Sequence, residues 1–131
     1  MFYRKNSIFR DNKGKIVYAL APMLDVTDLP FRQIVAEMGA PDLFFTEFVS
    51  VDGLCSKEGR KRLLKMFKKT QYEKKHRNLF FQIFGSDPEK FKCAVKIIKK
   101  LKPAGIDINT GCPDKAIIKQ GSGSALMKIE N

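Results

Sequence analysis

Cys112 has the neighbours that best suit a thiol to chemistry. It stands between Gly111, which permits close backbone approach, and Pro113, which can open a helix at its first position. A thiol beside a helix N-terminus can exchange a proton readily. The competing reading is an inert turn cysteine. Asn109 offers both a donor and an acceptor to the edge of a ring, and it equally suits a turn after a strand. Gln82 offers the same two groups from within the apolar run 79–84, or it is a satisfied polar residue at the mouth of a sheet. Glu47 either bonds backbone or helps place a substrate, and the first is the simpler role. Arg32 reads as a structural partner for an acid rather than a catalytic group.

Several chemistries are disfavoured. The three cysteines are odd in number and show no CxxC spacing, which argues against a disulfide framework and against a zinc site. Cys93 borders an apolar helix face and Cys55 falls in a loop, so both read as bland. A single histidine, His76, excludes a two-histidine metal site within this chain, and no metal ligands are assigned. No Ser-His-Asp arrangement is suggested.

These groups need elements to hold them, and the chain alternates strand and helix four times. Residues 16–21 form a short apolar run ending at Pro22 and read as a buried strand. Asp25 to Asp28 offer helix caps. Phe31, Ile34, Val35 and Met38 then follow helical spacing, with Gly39 at the C-terminal cap. A second strand is expected over 43–48, a basic amphipathic helix over 58–69 with Leu63, Leu64 and Phe67 inward, and a third strand over 79–84. Ser86-Asp87-Pro88-Glu89 starts a helix that runs to about Lys102. A fourth short strand covers 106–109. A turn of helix, a Gly121-Ser122-Gly123-Ser124 loop and a helix start at Ala125 follow.

Four βα units with near-continuous apolar strands imply a parallel sheet with helices outside, either doubly wound or a barrel. No GxGxxG follows the first strand, which disfavours a dinucleotide-binding unit. In parallel barrels the active site lies at the C-terminal ends of the strands. Those ends here carry Ala21-Pro22-Met23, Glu47, Gln82 and Asp107-Ile108-Asn109-Thr110-Gly111-Cys112-Pro113.

The 44% hydrophobic and 30% charged composition is that of a soluble globular protein. No apolar run approaches the roughly 20 residues of a membrane span, and no signal peptide follows Met1, so the reading is cytoplasmic and without membrane contact. The net charge is +11. From Arg60 to Arg77 the only acid among many cations is Glu73. Such a segment attracts a polyanion, and it also suits a solvated lysine-rich surface.

At these residues the sequence resembles the tRNA-dihydrouridine synthase family. Ala21-Pro22-Met23-Leu24-Asp25-Val26-Thr27-Asp28 followed by Phe31-Arg32 is similar to the family's first strand and helix entry. Gln82-Ile83-Phe84-Gly85 with Asp87-Pro88 and Phe91 is similar to its third unit. Ile106 to Pro113, then Lys115, Gly121, Gly123 and Leu126, is similar to its active-site signature and is the most specific block. The resemblance implies a TIM barrel holding FMN, followed by a helical tRNA-binding domain. It implies that Pro22, Met23 and Leu24 contact FMN and that Gln82 contacts the flavin. Asn109 would help hold the target uracil, and Cys112 would be the proton donor. The implied reaction reduces the C5–C6 double bond of uridine in tRNA, with NADPH as reductant of FMN and the flavin delivering hydride to C6.

A complete barrel needs about 250 residues, and this chain has 131. The expected fold is therefore α/β: the N-terminal half of a TIM (β/α)8 barrel, with four βα units and truncated. Residues 1–131 would be a partial FMN-binding barrel domain, with the other half-barrel and the helical domain absent. Unpaired edges on strands one and four would favour self-association, and a fragment inactive alone is expected. The alternatives are another FMN barrel oxidoreductase, such as dihydroorotate dehydrogenase, and a non-catalytic RNA-binding half-barrel.

Overall fold

The computed structural model describes residues 16–128. The N-terminal segment, read above for a signal peptide, lies outside them. The element order is α1 (Leu29–Gly39), β1 (Phe44–Phe45), β2 (Val49–Ser50), α2 (Val51–Cys55), α3 (Lys57–Leu63), α4 (Gln71–His76), β3 (Leu79–Phe84), α5 (Pro88–Ile98), β4 (Gly105–Ile108) and α6 (Lys115–Lys119). Short 3-10 turns extend α3 over Leu64–Phe67 and α5 over Lys99–Leu101, and another covers Gly123–Met127.

Local chemistry sets the helix starts. Asp28 caps α1 by accepting from the Phe31 N–H at 2.9 Å, and Asp87 caps α5 by accepting from Glu89 N–H at 2.8 Å. Each cap is followed within two residues by a proline, which needs no N–H partner in the first turn. Thr70 and Glu73 form a reciprocal capping box on α4. Such caps contribute about 1 kcal/mol each.

The sheet is parallel throughout. β3 pairs with β1 and β2 on one side and with β4 on the other. Residues 43–50 thus form one interrupted strand beside β3. Beyond it, the segment before Pro22 touches the sheet through a single bridge, Ala19 to Leu43. The spatial order follows the chain order, and the mixed α/β architecture fits part of a TIM barrel. Alternation along β3 sends Leu79, Phe81 and Ile83 to the helix side, where all three are buried. Phe67 stacks on Phe81 there, with centroids 4.3 Å apart, and Ala94 and Ile98 of α5 close the core. Phe80, Gln82 and Phe84 take the opposite face. On that face Phe45 stacks with Phe80 and Phe48 meets Phe84 edge-on.

Several sequence expectations need correction. Residues 16–21 are not a buried strand: Ile16 and Tyr18 are 77% and 66% exposed, because only one bridge ties the segment to the sheet. Helical spacing put Ile34 and Met38 inward, yet both are exposed, and the fully buried residue of α1 is Arg32. The face of α1 turned to the core combines the buried Arg32, paired with Glu73, with the partly buried Val35 and Ala36. The helix expected over 58–69 forms as α3 and its 3-10 extension, from Lys57 to Phe67, and Ser56 caps its start after ending the separate helix α2. α4 falls inside the cation-rich segment, where charge hid its period. Finally, Cys55 and Cys93 are joined as a disulfide, with Cα atoms 6.2 Å apart. The odd count concealed one pair and one free thiol, Cys112.

Candidate active site

The C-terminal ends of the strands build one rim. At its centre is Gln82 of β3, buried, and opposite Asp107 of β4 in the parallel register. Its Nε2 donates to Asp107 Oδ2 at 2.5 Å. A carboxylate oxygen facing the amide nitrogen turns the amide oxygen the other way. That oxygen accepts from Asn109 Nδ2 at 3.2 Å. Asn109 Oδ1 in turn accepts from the backbone N–H of Gly111 at 3.2 Å and of Cys112 at 3.0 Å. Three of the expected site residues, Gln82, Asn109 and Cys112, are therefore one hydrogen-bonded chain, which Asp107 extends at the Gln82 end. The second lone pair of Gln82 Oε1 and the second hydrogen of its Nε2 are left over for a ligand edge.

Cys112 is held from both sides. Its carbonyl accepts from Ser124 N–H at 3.0 Å. Gly123, at φ +60, lies so close that a Cβ there would stand 2.7 Å from that carbonyl and 2.9 Å from Ile117 Cγ2. Only glycine suits this conformation and this approach. The Cys112 thiol itself is free and partly exposed. Pro113 does not open the helix: Asp114 is the cap of α6, accepting from Ala116 and Ile117 N–H, and the helix begins at Lys115. The cysteine thus precedes the helix by a short turn. A Cβ at Gly111 would meet nothing within 4 Å, so the space above the turn is open.

On the other side of the rim, the turn after the first extended segment carries Pro22, Met23 and Leu24. The Thr27 hydroxyl bonds both the N–H and the carbonyl of Met23, each at 3.0 Å. Asp25 sits in the left-handed region at φ 58 and donates its N–H to Glu47 Oε1 at 2.9 Å. Glu47 is therefore a backbone partner in the rim, the simpler of its two expected roles. Met23 and Leu24 are 38% and 48% exposed, and Pro22 is half-buried. No hydrogen bond joins this turn to the Gln82–Cys112 chain, and the 43–50 strand separates them in the sheet. An exposed apolar turn, a part-satisfied amide and open space over Gly111 suit a flat ring with a polar edge. Among the described residues no group of three or more His, Cys, Asp and Glu side chains could hold a metal.

Sequence reasoning missed Asp107 and Thr27. Asp107 was legible in the alternation Ile106-Asp107-Ile108, which puts it on the face of Gln82 if the register is known. The cation-rich segment does not join the rim. α4, with Lys74, Lys75 and His76, runs directly into the start of β3 and so stands at the opposite end of the sheet. Lys69 there donates to the Lys102 carbonyl at 2.6 Å. Lys115 and Lys119, on the helix that follows Cys112, are exposed.

The sequence pattern described as Dihydrouridine synthase (Dus) matches residues 19–131, a span that takes in every rim residue above. The chain belongs to the dihydrouridine synthase family. A Staphylococcus aureus (strain Mu50) protein named "Probable tRNA-dihydrouridine synthase" is 40% identical over 114 residues, covering 84% of this chain and 33% of the relative. A Bacillus subtilis (strain 168) protein named "Probable tRNA-dihydrouridine synthase 2" is 37% identical over 110 residues, with the same coverage. The chain thus spans about a third of the length of the curated relatives it matches. No helix among the described residues is long and apolar enough to cross a membrane.

Proposed function

We propose that this chain supplies the N-terminal half of the (β/α)8 barrel, in four βα units, of a cytoplasmic tRNA-dihydrouridine synthase. The observation that carries the reading is the bonded chain Asp107–Gln82–Asn109–Cys112 on the rim of a family member. The strands that close the barrel, and the helical domain that grips tRNA, belong to a part of the enzyme other than these 131 residues. Without those strands the edges of the first segment and of β4 favour self-association.

Pro22, Met23, Leu24 and Gln82 would hold FMN, the turn through its exposed chain and Gln82 through its remaining amide groups. Bound there, FMN would supply hydride chemistry toward the uracil C6, with NADPH as its reductant. Asn109 orients the target uracil, and its own orientation is fixed by Gln82 on one side and two backbone N–H groups on the other. Cys112 delivers the proton to C5, and Asn109 and Ser124 fix its backbone for that task. The uridine must leave its stack to reach this rim. Lys115 and Lys119, exposed on the helix that follows Cys112, suit the phosphates of the same strand. The reading that this is a non-catalytic RNA binder predicts no role for the free thiol.

The test measures dihydrouridine in a tRNA transcript incubated with FMN, NADPH and a chimera in which this chain replaces the N-terminal third of the Bacillus subtilis relative. The expected result is uridine reduction that Cys112→Ala lowers by about 100-fold or more, the contribution of a positioned acid, with flavin still bound. A flavin-loaded chimera whose turnover survives Cys112→Ala overturns the role of Cys112.

A further inference from the structure

We propose that Arg32 is a positioning residue for the turn at Met23–Thr27, holding it in the shape that the flavin meets. The inference rests on the reading of that turn as flavin-facing. Arg32 is fully buried on α1 and spends its guanidinium in three directions. Nη1 donates to the Thr27 carbonyl at 2.6 Å, Nε to Glu73 Oε1 at 2.7 Å and Nη2 to the Lys68 carbonyl at 2.7 Å. Glu73 is itself anchored, because its other oxygen accepts from Thr70 N–H at 2.7 Å in the α4 capping box. Thr27 passes the constraint on, since its hydroxyl clamps both backbone groups of Met23. A continuous path of bonds therefore runs from Met23 to the connection between the second and third strands.

The choice of arginine is informative. A buried ion pair is no more stable than well-packed apolar side chains of the same volume, so stability alone does not call for one here. What a guanidinium provides is a rigid planar fork that sets the directions of several acceptors at once. The turn needs that, because it has no ladder of its own. Asp25 holds a left-handed backbone, and Met23 and Leu24 are exposed. Lysine, with one nitrogen on a flexible stem, cannot serve three diverging acceptors.

The experiment is amide hydrogen exchange on the 131-residue chain without flavin, comparing wild type, Arg32→Lys and Glu73→Gln. Arg32→Lys should speed exchange at the Met23 and Thr27 amides about tenfold, the effect of one lost hydrogen bond. The Phe81 and Ile83 amides in the centre of β3 should keep their protection. Glu73→Gln, which leaves the Thr27 bond but weakens its anchor, should act on the same two amides in the same direction. Unchanged turn amides in a folded Arg32→Lys protein overturn the proposal. So does an equal loss of protection in β3, which would make Arg32 a residue of general stability. If Arg32→Lys does not fold, the Glu73→Gln pattern decides in the same way. FMN titration of the same proteins separates the two claims. A wild-type chain that protects the turn but takes up no FMN removes the flavin reading and leaves the positioning role standing. Flavin uptake weakened in Arg32→Lys, with β3 intact, supports both.

Discussion

Two glycines flank one serine in the loop that packs on Cys112, and they should respond differently to the same substitution. Gly121 has φ +70 and a Cβ added there meets Ser86 Cβ at 3.4 Å, an ordinary contact. Gly121→Ala therefore costs the left-handed conformation alone, about 1–2 kcal/mol. The unfolded chain loses entropy worth about 0.4–1 kcal/mol in return. The net loss is about 0.5–1.5 kcal/mol. Gly123→Ala carries the same backbone terms, and its Cβ would also stand 2.7 Å from the Cys112 carbonyl, which is backbone and cannot swing aside. Overpacking of that kind adds about 1–3 kcal/mol, for a total of about 1.5–4.5 kcal/mol. Urea unfolding measures both losses. Alkylation of the free thiol under native conditions reads the site: Gly123→Ala should change the rate at Cys112, and Gly121→Ala should leave it at the wild-type value. Equal destabilisation by the two substitutions, or a Cys112 rate indifferent to Gly123→Ala, would refute the packing of this loop against the cysteine.

Other consequences are as direct. Thiol titration of unreduced native protein should count Cys112 alone, and reductant should release Cys55 and Cys93 at a cost of about 2–4 kcal/mol in stability; a full count of three before reduction would show that the two helices stand thiol to thiol. Asp107→Asn offers the Gln82 amide a donor as well as an acceptor and frees it to turn over. A lost bond to a charged group is worth about 1.5–3 kcal/mol, so FMN affinity should fall about tenfold or more, and an unchanged affinity would mean that the Gln82 orientation does not matter.

Much of this was legible from residue order. β3 was read to the residue, because Leu79 to Phe84 is apolar, bounded and of strand length. The start of α1 followed from the cap residues Asp25 to Asp28, and that of α5 from Asp87 with Pro88. Cys112, Asn109 and Gln82 were named as single residues, each with a competing bland role, and what the fold adds is their connection. That connection depends on the register of β3 against β4, which no local pattern encodes. Arg32 shows the opposite failure. Its helix was oriented by counting apolar side chains, yet the buried position belongs to a cation whose partner, Glu73, is far along the chain. The acid that looked outnumbered in a basic run is the one that matters there, since it is buried in the capping box. The disulfide was missed for a similar reason: a count of three speaks of the whole set and says nothing about which two helices meet.

The central claim is that this rim is built to hold a flavin beside Cys112, and a titration of FMN into the purified chain, followed by flavin fluorescence, tests it most directly. Saturable quenching is expected, weakened by Gln82→Ala and left in place by Cys112→Ala. A folded chain that shows no saturable change, or one whose binding ignores Gln82, would contradict it.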